Sequence, residues 1–187
     1  GGEIEMIVFI DTTETVKNLT IHGTDWEKLG RFLPLNSSTG IIPRIVIEET
    51  ANHFREEIEN IRKEVHKCQL DFGKHCGSVS ANVNIAATHL FPEIDVEFLM
   101  EQHEKVFNGR MEYLHLRTRE YSEVDPATLV QRALSRRKPF DEKGKYGFRD
   151  AILWETILNK VKERHDKVVF ITRNKKDFGE HGTLAPH

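Results

Sequence analysis

Two short, wholly apolar segments constrain the fold of this chain more than any other feature. Residues 7–10 and 168–171 each contain four apolar residues in a row, without the alternation of a strand that has one wet face. Such strands are typical of parallel sheets, which helices cover on both faces. Polar residues follow each segment directly, at positions 11–13 and 172–174. We therefore expect an open, mostly parallel α/β sheet, with the functional crevice at the carboxyl ends of its strands.

Helical patterns fill much of the chain between these strands. Apolar residues recur at intervals of three and four from residue 47 to residue 68, which predicts an amphipathic helix of about six turns. Residues 95–107 have a helical pattern as well. Asp125 is a favourable N-cap before a proline, and we expect that helix to run to about residue 137. Asp150 is expected to open a further helix and to lie on its apolar face.

Shorter stretches are assigned by their composition. Residues 113–116 have the pattern of a short strand, residues 36–40 that of a loop, and residues 144–147 that of a turn. Residues 71–92 favour no structure clearly. No repeat or linker interrupts the chain, so its 187 residues are expected to form a single domain, 1–187, in which the first two glycines are interpreted as an expression remnant.

The composition indicates a cytoplasmic protein. The longest apolar run, residues 6–10, is far shorter than the roughly 20 residues of a membrane helix, and the first residues lack the pattern of a signal peptide. Two cysteines, Cys68 and Cys76, are too few for a disulfide framework, which is typical of a reducing compartment. We therefore expect a location in the cytoplasm and no contact with a membrane.

A basic stretch contrasts with the net charge of the whole chain, which is −3. Residues 131–149, here called the basic strip, contain seven basic and two acidic residues; their net charge of +5 leaves −8 for the rest. A local basic strip on an otherwise acidic protein is suited to bind phosphate groups. A solvated loop is an equally good interpretation of the same residues.

Three acidic residues lie at predicted strand ends or helix starts. Asp11 follows the first strand, Glu49 lies in the first turn of the long helix, and Asp150 lies at the start of the late helix. Each alone has a structural explanation, as a turn residue, a residue favoured at a helix N-terminus or an N-cap. Together at one sheet edge they would repel one another without a cation, and hard oxygen ligands suit Mg²⁺ or Mn²⁺. Such a cluster can activate water and stabilise an in-line displacement at phosphorus.

Four pieces of the sequence resemble the PIN-domain nucleases and follow the order of that family. They are Ile-Asp-Thr at 10–12, Ile-Val-Ile-Glu-Glu at 45–49, Gly-Phe-Arg-Asp-Ala-Ile-Leu-Trp at 147–154 and Val-Val-Phe-Ile-Thr-Arg-Asn-Lys-Lys-Asp-Phe at 168–178. The stretch Arg-Arg-Lys-Pro-Phe at 136–140, before the third piece, resembles one subgroup of the family. The resemblance implies a three-layer α/β/α sandwich with a mostly parallel central sheet.

The resemblance also implies which acidic residues form the site. The first acid of the family falls on Asp11 and the third on Asp150. The second falls on Glu49, and the adjacent Glu48 stays open as an alternative. About 100° of helix separates these two glutamates, so only one of them faces the metals.

The fourth acidic position of the family is Asn174 in this chain, and an amide cannot replace the charge of a carboxylate. Asn174 can still offer a carbonyl oxygen or orient a water, and Asp177 is an alternative ligand. The catalytic residues implied are therefore the three acids Asp11, Glu49 and Asp150 together with Asn174, and the metal ligands are the same three acids with Asp177. Thr172 matches a hydroxyl that the family places beside the metal site. The residues implied to hold the substrate are Thr172, Arg136, Arg137, Lys138 and Arg173.

The predicted function is that of a metal-dependent endoribonuclease with Mg²⁺ or Mn²⁺ as cofactor. By analogy with the family, its products carry a 5′-phosphate and a 3′-hydroxyl. The expected partner is single-stranded or structured RNA, and an inhibitory protein partner stays open. Two alternatives remain. The first is a catalytically impaired PIN-like module that binds nucleic acid or protein, and the missing fourth acid favours it. The second is a structure-specific nuclease that acts on DNA.

Overall fold

Strands and helices alternate along the chain in the computed structural model. The structure describes residues 6–76, 93–140, 143, 147–163, 167–174, 179–180 and 183–184. The strands are β1 (Met6–Ile10), β2 (Thr39–Pro43), β3 (Leu116–Arg119), β4 (Lys167–Ile171), β5 (Gly179–Glu180) and β6 (Thr183–Leu184). The helices are α1 (Thr12–Thr15), α2 (Thr24–Leu35), α3 (Arg44–Cys76), α4 (Val96–Tyr113), α5 (Pro126–Leu134) and α6 (Phe148–Glu163).

Among the described residues, β1 to β4 form a parallel sheet in the order β3-β2-β1-β4. The two apolar segments of the sequence are neighbours in this sheet, where Val8 pairs with Val169 and Phe9 pairs with Phe170. Because these strands run parallel, their carboxyl ends lie at one side of the sheet, here called the carboxyl edge. The predicted α/β class with a parallel sheet is confirmed. The short strands β5 and β6 pair with each other in antiparallel orientation.

The chain divides into two compact units. The first unit consists of Gly1–Thr50 and Val106–His187 and contains the sheet, and the second unit is Ala51–Lys105. Helices α3 and α4 each contribute residues to both units. The expectation of a single domain over residues 1–187 stays a prediction.

The core of the first unit forms around β1. Phe9 of β1, Leu33 of α2 and Val46 of α3 are fully buried in it. Trp154 of α6 belongs to the same core, with its ring centroid 6.2 Å from that of Phe170. Burial of β1 by helices explains why its sequence is wholly apolar rather than alternating. A second buried cluster involves α5 and α6 and consists of Val124, Leu129, Phe140, Ala151 and Ile152.

Helix α3 is longer than the sequence periodicity predicts. The pattern predicts residues 47–68, whereas α3 begins at Arg44, directly after β2, because the apolar residues before position 47 pack in its first turn against the core. In the second unit, Phe54 of α3 stacks on His103 of α4 with ring centroids 4.3 Å apart. Ile61 and Cys68, which lie on the predicted apolar face, are exposed. No helix in the described residues, including the long helix α3, is both long and apolar enough to cross a membrane.

Two of the shorter predictions need correction: the loop at 36–40 is right for residues 36–38 and wrong for 39–40, and the strand at 113–116 is wrong except at its last residue. The predicted loop at 36–40 overlaps β2, in which Gly40 makes room for Leu33 and Leu116; a Cβ at position 40 would lie 2.7 Å and 2.5 Å from their methyl carbons. The predicted strand at 113–116 is mostly the end of α4 and a turn, and β3 begins only at Leu116. His115 has a φ of 56°, a left-handed conformation that ends the helix.

The ends of the remaining helices differ from their predictions by a few residues. Asp125 caps α5 as predicted, since its Oδ1 accepts a hydrogen bond from the backbone N of Ala127 at 3.1 Å. The helix ends before residue 137 because Arg136, with a φ of 52°, leaves the helical conformation. Helix α6 begins at Phe148, so Asp150 lies in its first turn and is not its N-cap. Residues 77–92 and 144–146 lie outside the described residues.

Gly147 sets the start of α6, and its φ of 100° is in the region that favours glycine. A Cβ there would lie 2.3 Å from the backbone O of Pro139. We expect Gly147→Ala to lower the free energy of unfolding by about 2–3 kcal/mol, through backbone strain and this clash. Gly109→Ala is the matched control, because nothing lies within 4 Å of a Cβ on this helical residue; it should stabilise by up to about 1 kcal/mol. Urea denaturation measures the free energy of unfolding of both variants. An equal change in the two would contradict the inference that position 147 requires glycine.

Candidate active site

Asp11 lies at the carboxyl edge, directly after β1, and is only 3% exposed. Its Oδ1 accepts a hydrogen bond from the backbone N of Thr12 at 2.7 Å, in the manner of an N-cap. Its Oδ2 accepts hydrogen bonds from the hydroxyls of Thr13 at 2.8 Å and Thr172 at 2.6 Å. The backbone N of Asp11 donates to the carbonyl O of Ile171 at 3.0 Å. Both the backbone and the side chain of Asp11 therefore join the end of β1 to the end of β4.

The segment after β4 sets the direction of these two hydroxyls. The Oγ1 of Thr13 accepts a hydrogen bond from the backbone N of Arg173 at 3.0 Å, and the Oγ1 of Thr172 accepts one from the backbone N of Asn174 at 2.9 Å. Each hydroxyl therefore accepts from the backbone and donates its own hydrogen to Asp11. The carboxylate of Asp11 is held in one orientation by donors that are themselves held in place.

Glu49 is joined to the same network through Thr12. The hydroxyl of Thr12 donates to Oε2 of Glu49 at 2.6 Å, while its backbone N donates to Asp11. The other carboxylate oxygen of Glu49, Oε1, lies 3.0 Å from Nη1 of Arg149. Because Arg149 precedes Asp150 in the first turn of α6, this ion pair brings that turn to the first turns of α3.

The neighbouring Glu48 points to a different side of α3. It is exposed, and its Oε2 accepts a hydrogen bond from the hydroxyl of Tyr121 at 3.3 Å. The negative charge of Glu48 raises the pKa of Tyr121 above its ordinary value, because a nearby anion disfavours the phenolate. The structure therefore brings Glu49, and not Glu48, into the network around Asp11.

For two of the other predicted acidic and amide residues, the structure gives the position in the fold and the burial of the side chain. Asp150 in α6 and Asn174 after β4 are half-buried, and Asp177 lies outside the described residues. Within the part of the chain that the structure describes, no group of three or more His, Cys, Asp or Glu side chains is placed to hold a metal ion. Metal binding by Asp11, Glu49, Asp150 and Asp177 therefore stays a prediction.

The surroundings of Asp11 fit a hard cation nonetheless. Among the described residues, its hydrogen-bond partners are a backbone N–H and two hydroxyls, none of which is charged. A buried carboxylate without a counter-charge is energetically costly, and three donors leave part of the roughly four lone-pair sites of a carboxylate unused. Mg²⁺ and Mn²⁺ prefer oxygen ligands of this type. A divalent ion would supply the missing charge at Asp11, but at Glu49 it would compete with Arg149.

The basic strip presents fewer unpaired cations than its composition indicates. Arg132 forms a buried ion pair with Glu155, Nη2 to Oε1 at 2.6 Å, and its Nη1 donates to the carbonyl O of Lys138 at 2.8 Å. A second guanidinium of the strip binds Glu49, as described above. Of the three predicted phosphate-binding residues in the strip, Lys138 is half-buried, and the two exposed ones are Arg136 and Arg137.

Three members of this network were not selected as site residues from the sequence: Thr12, Thr13 and Arg149. The first two carry a recognisable signal, because hydroxyl residues in the first turn after a capping Asp commonly bond to local groups. The sequence marks Arg149 only as the last residue of the basic strip. Its contact with Glu49 joins residues 100 positions apart, and no local pattern indicates such a pairing.

The fold and the site together define an α/β protein in which two carboxylates, Asp11 and Glu49, are joined by hydrogen bonds at the carboxyl edge of a parallel sheet. A family model of the PIN domain matches residues 8–178. The chain therefore belongs to the PIN-domain family, a nuclease-type fold whose members generally bind nucleic acids, and it has the PIN-like α/β/α architecture that its motifs imply. No curated protein and no solved structure matches the chain significantly.

Thr172→Val tests the network around Asp11, because it removes a hydroxyl that donates to a buried carboxylate and accepts from a backbone N–H. We expect it to lower the free energy of unfolding by about 1–3 kcal/mol in buffer without divalent ions. Thr172→Ser is the matched control; it keeps the hydroxyl and should cost less than about 1 kcal/mol for the lost methyl group. Urea denaturation measures both variants. Equal stability of the two would mean that the hydroxyl does not hold Asp11.

Proposed function

We propose that this PIN-domain protein is a metal-dependent endoribonuclease that hydrolyses phosphodiester bonds. The observation that carries the proposal is the buried carboxylate of Asp11, whose partners in the described residues are all uncharged. It lies at the carboxyl edge, where open α/β sheets bind their ligands. A buried carboxylate that lacks a cation, in a fold of nuclease type, favours a site that takes a divalent ion and a phosphate group.

The metal ligands in this proposal are Asp11, Glu49 and Asp150, with Asp177 as a further candidate. When held by these residues, Mg²⁺ or Mn²⁺ would supply Lewis-acid chemistry for hydrolysis of the phosphodiester. Asp11 contributes a carboxylate that is already oriented, so that little reorganisation is needed when the charge of the transition state develops. Thr12 couples the positions of the first two ligands, since it donates to both of them.

The residues after β4 take part as positioning groups. Asn174, at the fourth acidic position of the family, orients a water through its side-chain amide in this proposal. Thr172 supports it, because the backbone N of Asn174 donates to the hydroxyl of Thr172. The same hydroxyl donates to Asp11, so the two sides of the crevice are joined by one threonine.

Cationic residues hold the substrate in this proposal. Arg136, Arg137, Lys138 and Arg173 contact phosphates of single-stranded or structured RNA, whose cleavage leaves a 5′-phosphate and a 3′-hydroxyl. The exposure of Arg136, Arg137 and Arg173 supports this role. Such contacts supply affinity and register without reading the base sequence. The proposal includes a cytoplasmic location and an inhibitory protein partner.

A second candidate function is a PIN-like module that binds nucleic acid or protein without cleaving it. Two observations favour it: Asn174 replaces an acidic residue, and Arg149 occupies an oxygen of Glu49 that a metal would need. A structure-specific nuclease of DNA is a third candidate, with the same chemistry on another substrate.

Glu49→Gln tests the catalytic assignment. Because it replaces a ligand carboxylate with an amide, we expect it to lower the single-turnover rate of RNA cleavage by at least about a hundredfold. Glu48→Gln is the matched control, since it makes the same change one residue earlier, where the side chain binds Tyr121. We expect it to change the rate by less than about threefold. The assay uses labelled RNA and DNA of the same sequence, in single-stranded and structured form, with Mg²⁺, with Mn²⁺ and with EDTA, and filter binding is measured on the same samples.

The outcomes of this assay separate the three candidate functions. Metal-dependent cleavage of RNA, with DNA of the same sequence left intact, supports the proposal. Cleavage of DNA alone supports the third candidate, and binding without cleavage in either metal supports the second. An equal loss in both glutamine variants would contradict the assignment of Glu49 as the ligand.

The basic strip can be tested separately from the chemistry. We expect the triple change Arg136→Ala, Arg137→Ala and Lys138→Ala to weaken RNA binding at low salt and to reduce the slope of log affinity against log salt by about two units. Each lost phosphate contact on a single strand removes roughly 0.7 from that slope. Single-turnover cleavage at saturating protein should fall much less, because these contacts hold ground state and transition state alike. Filter binding across a salt series measures the slope.

A control with the same change in net charge is available in α3. Arg62, Lys63 and Lys67 are exposed, and their replacement by Ala should leave the slope unchanged. If both triple variants flatten the slope equally, the effect comes from net charge and the phosphate contacts of the basic strip are excluded. An unchanged slope in both would identify the strip as a solvated loop.

A further inference from the structure

A pocket of about 600 Å³ adjoins the candidate active site. Ile10 and Ile171, the last residues of β1 and β4, line it, and the residue after Ile10 is Asp11. The ion pair between Arg173 and Glu14, Nε to Oε1 at 2.8 Å, lines the pocket as well. The pocket is joined to Asp11 through Arg173, because the backbone N of Arg173 donates to the hydroxyl of Thr13, which donates to the carboxylate of Asp11.

The inner surface of this pocket is apolar and aromatic. Trp26, Leu29 and Phe32 of α2 face the two isoleucines at the strand ends. Trp26 and Leu29 are half-buried and pack on the core, which makes them a firm surface, and Phe32 is 42% exposed. Flat aromatic and aliphatic surfaces of this kind bind nucleobases by stacking, largely without regard to the identity of the base.

The rim of the pocket carries cations suited to a nucleic-acid backbone. Lys17, Lys28 and Arg173 lie on it, together with the acids Glu14 and Asp25. Lys28 and Asp25 are 3.9 Å apart with side chains 75% and 99% exposed, so their pairing is weak and a phosphate can replace it. An apolar lining with a small excess of positive charge, one residue more basic than acidic, matches a nucleotide, whose base is flat and whose phosphate is charged.

We propose that this pocket binds one unpaired nucleobase of the substrate, stacked on Trp26, next to the phosphodiester at Asp11. The inference rests on the proposed nuclease function and narrows its substrate. A base inside a duplex is stacked and paired, so it cannot enter a pocket without leaving the helix. The pocket therefore selects RNA that is single-stranded, or flipped out, at the position beside the cleaved bond.

Tryptophan fluorescence provides a direct readout of this pocket. The chain contains two tryptophans; Trp154 is buried in the core, whereas Trp26 lines the pocket. The experiment titrates the protein, in EDTA, into a dye-labelled octamer of adenosine nucleotides and into a labelled octamer of abasic spacers that has the same backbone charge. The anisotropy of the label gives the affinity of every variant, and quenching of the protein fluorescence reports contact with Trp26. Parent, Trp26→Ala and Trp26→Phe are compared, with Phe98→Ala as the control for loss of an exposed aromatic residue outside the pocket.

We expect the adenosine octamer to quench the parent fluorescence saturably and the abasic octamer to bind at least about tenfold more weakly. Trp26→Ala should lose about tenfold in affinity for the adenosine octamer, and little for the abasic one. Trp26→Phe should keep most of the affinity, because a phenyl ring still stacks on a base. It should lose the quenching, because the fluorescent indole of the pocket is gone. Phe98→Ala should behave like the parent. Circular dichroism confirms that each variant is folded.

Equal affinity of the parent and Trp26→Ala for the adenosine octamer, or equal affinity of the parent for both octamers, would overturn the proposal. Cleavage with Mg²⁺ or Mn²⁺ is measured on the same protein samples. Failure of the nuclease proposal can therefore be distinguished from failure of the base-binding proposal. Base-dependent quenching without cleavage keeps the pocket and contradicts the nuclease function. Cleavage without base-dependent binding keeps the nuclease function and contradicts the pocket.

Discussion

The structure depends above all on a buried carboxylate that accepts hydrogen bonds from two threonine hydroxyls. Asp11 ends the central strand β1, and its partners Thr13 and Thr172 lie on α1 and after β4. The backbone of the segment after β4 orients both hydroxyls, so the carboxylate, the two strand ends and the short helix form one hydrogen-bonded unit. A charge buried at the edge of the core is thereby stabilised as part of the fold. The same charge is the feature on which the proposed metal site rests.

Short chain connections place the other residues of the site. Helix α3 begins directly after β2, which is the neighbour of β1, so Glu49 lies within two turns of the carboxyl edge. Thr12, the first residue of α1, reaches it with a hydroxyl. The first turn of α6 reaches the same glutamate through Arg149. Segments that are far apart in the sequence therefore meet because parallel strands all end on one side.

The sequence predicted those parts of the fold that local chemistry determines. The apolar strands β1 and β4, and the cap at Asp125, need only the residues around them. Strand β2 was missed because Gly40 resembles a loop residue until Leu33 and Leu116 pack over it. The choice of Glu49 over Glu48 followed from the family motif, while helical phase required only that one of the two glutamates face the site. The contact of Glu49 with a guanidinium 100 positions away could not be predicted, because the partner is set by tertiary packing alone.

The buried pairing of Arg132 with Glu155 changes how a polyanion meets this protein. Two guanidinium groups of the basic strip are paired with glutamates, Arg132 inside the fold and Arg149 at its surface, and the chain as a whole has a net charge of −3. Attraction from the exposed cations extends only about 8 Å at physiological ionic strength. Beyond that distance the net charge of −3 is screened as well, so a polyanion is neither steered towards the protein nor strongly repelled, and its rate of association stays near that of uncharged partners. Under the proposed function, the encounter with a nucleic acid is therefore set by its local concentration rather than by attraction over distance.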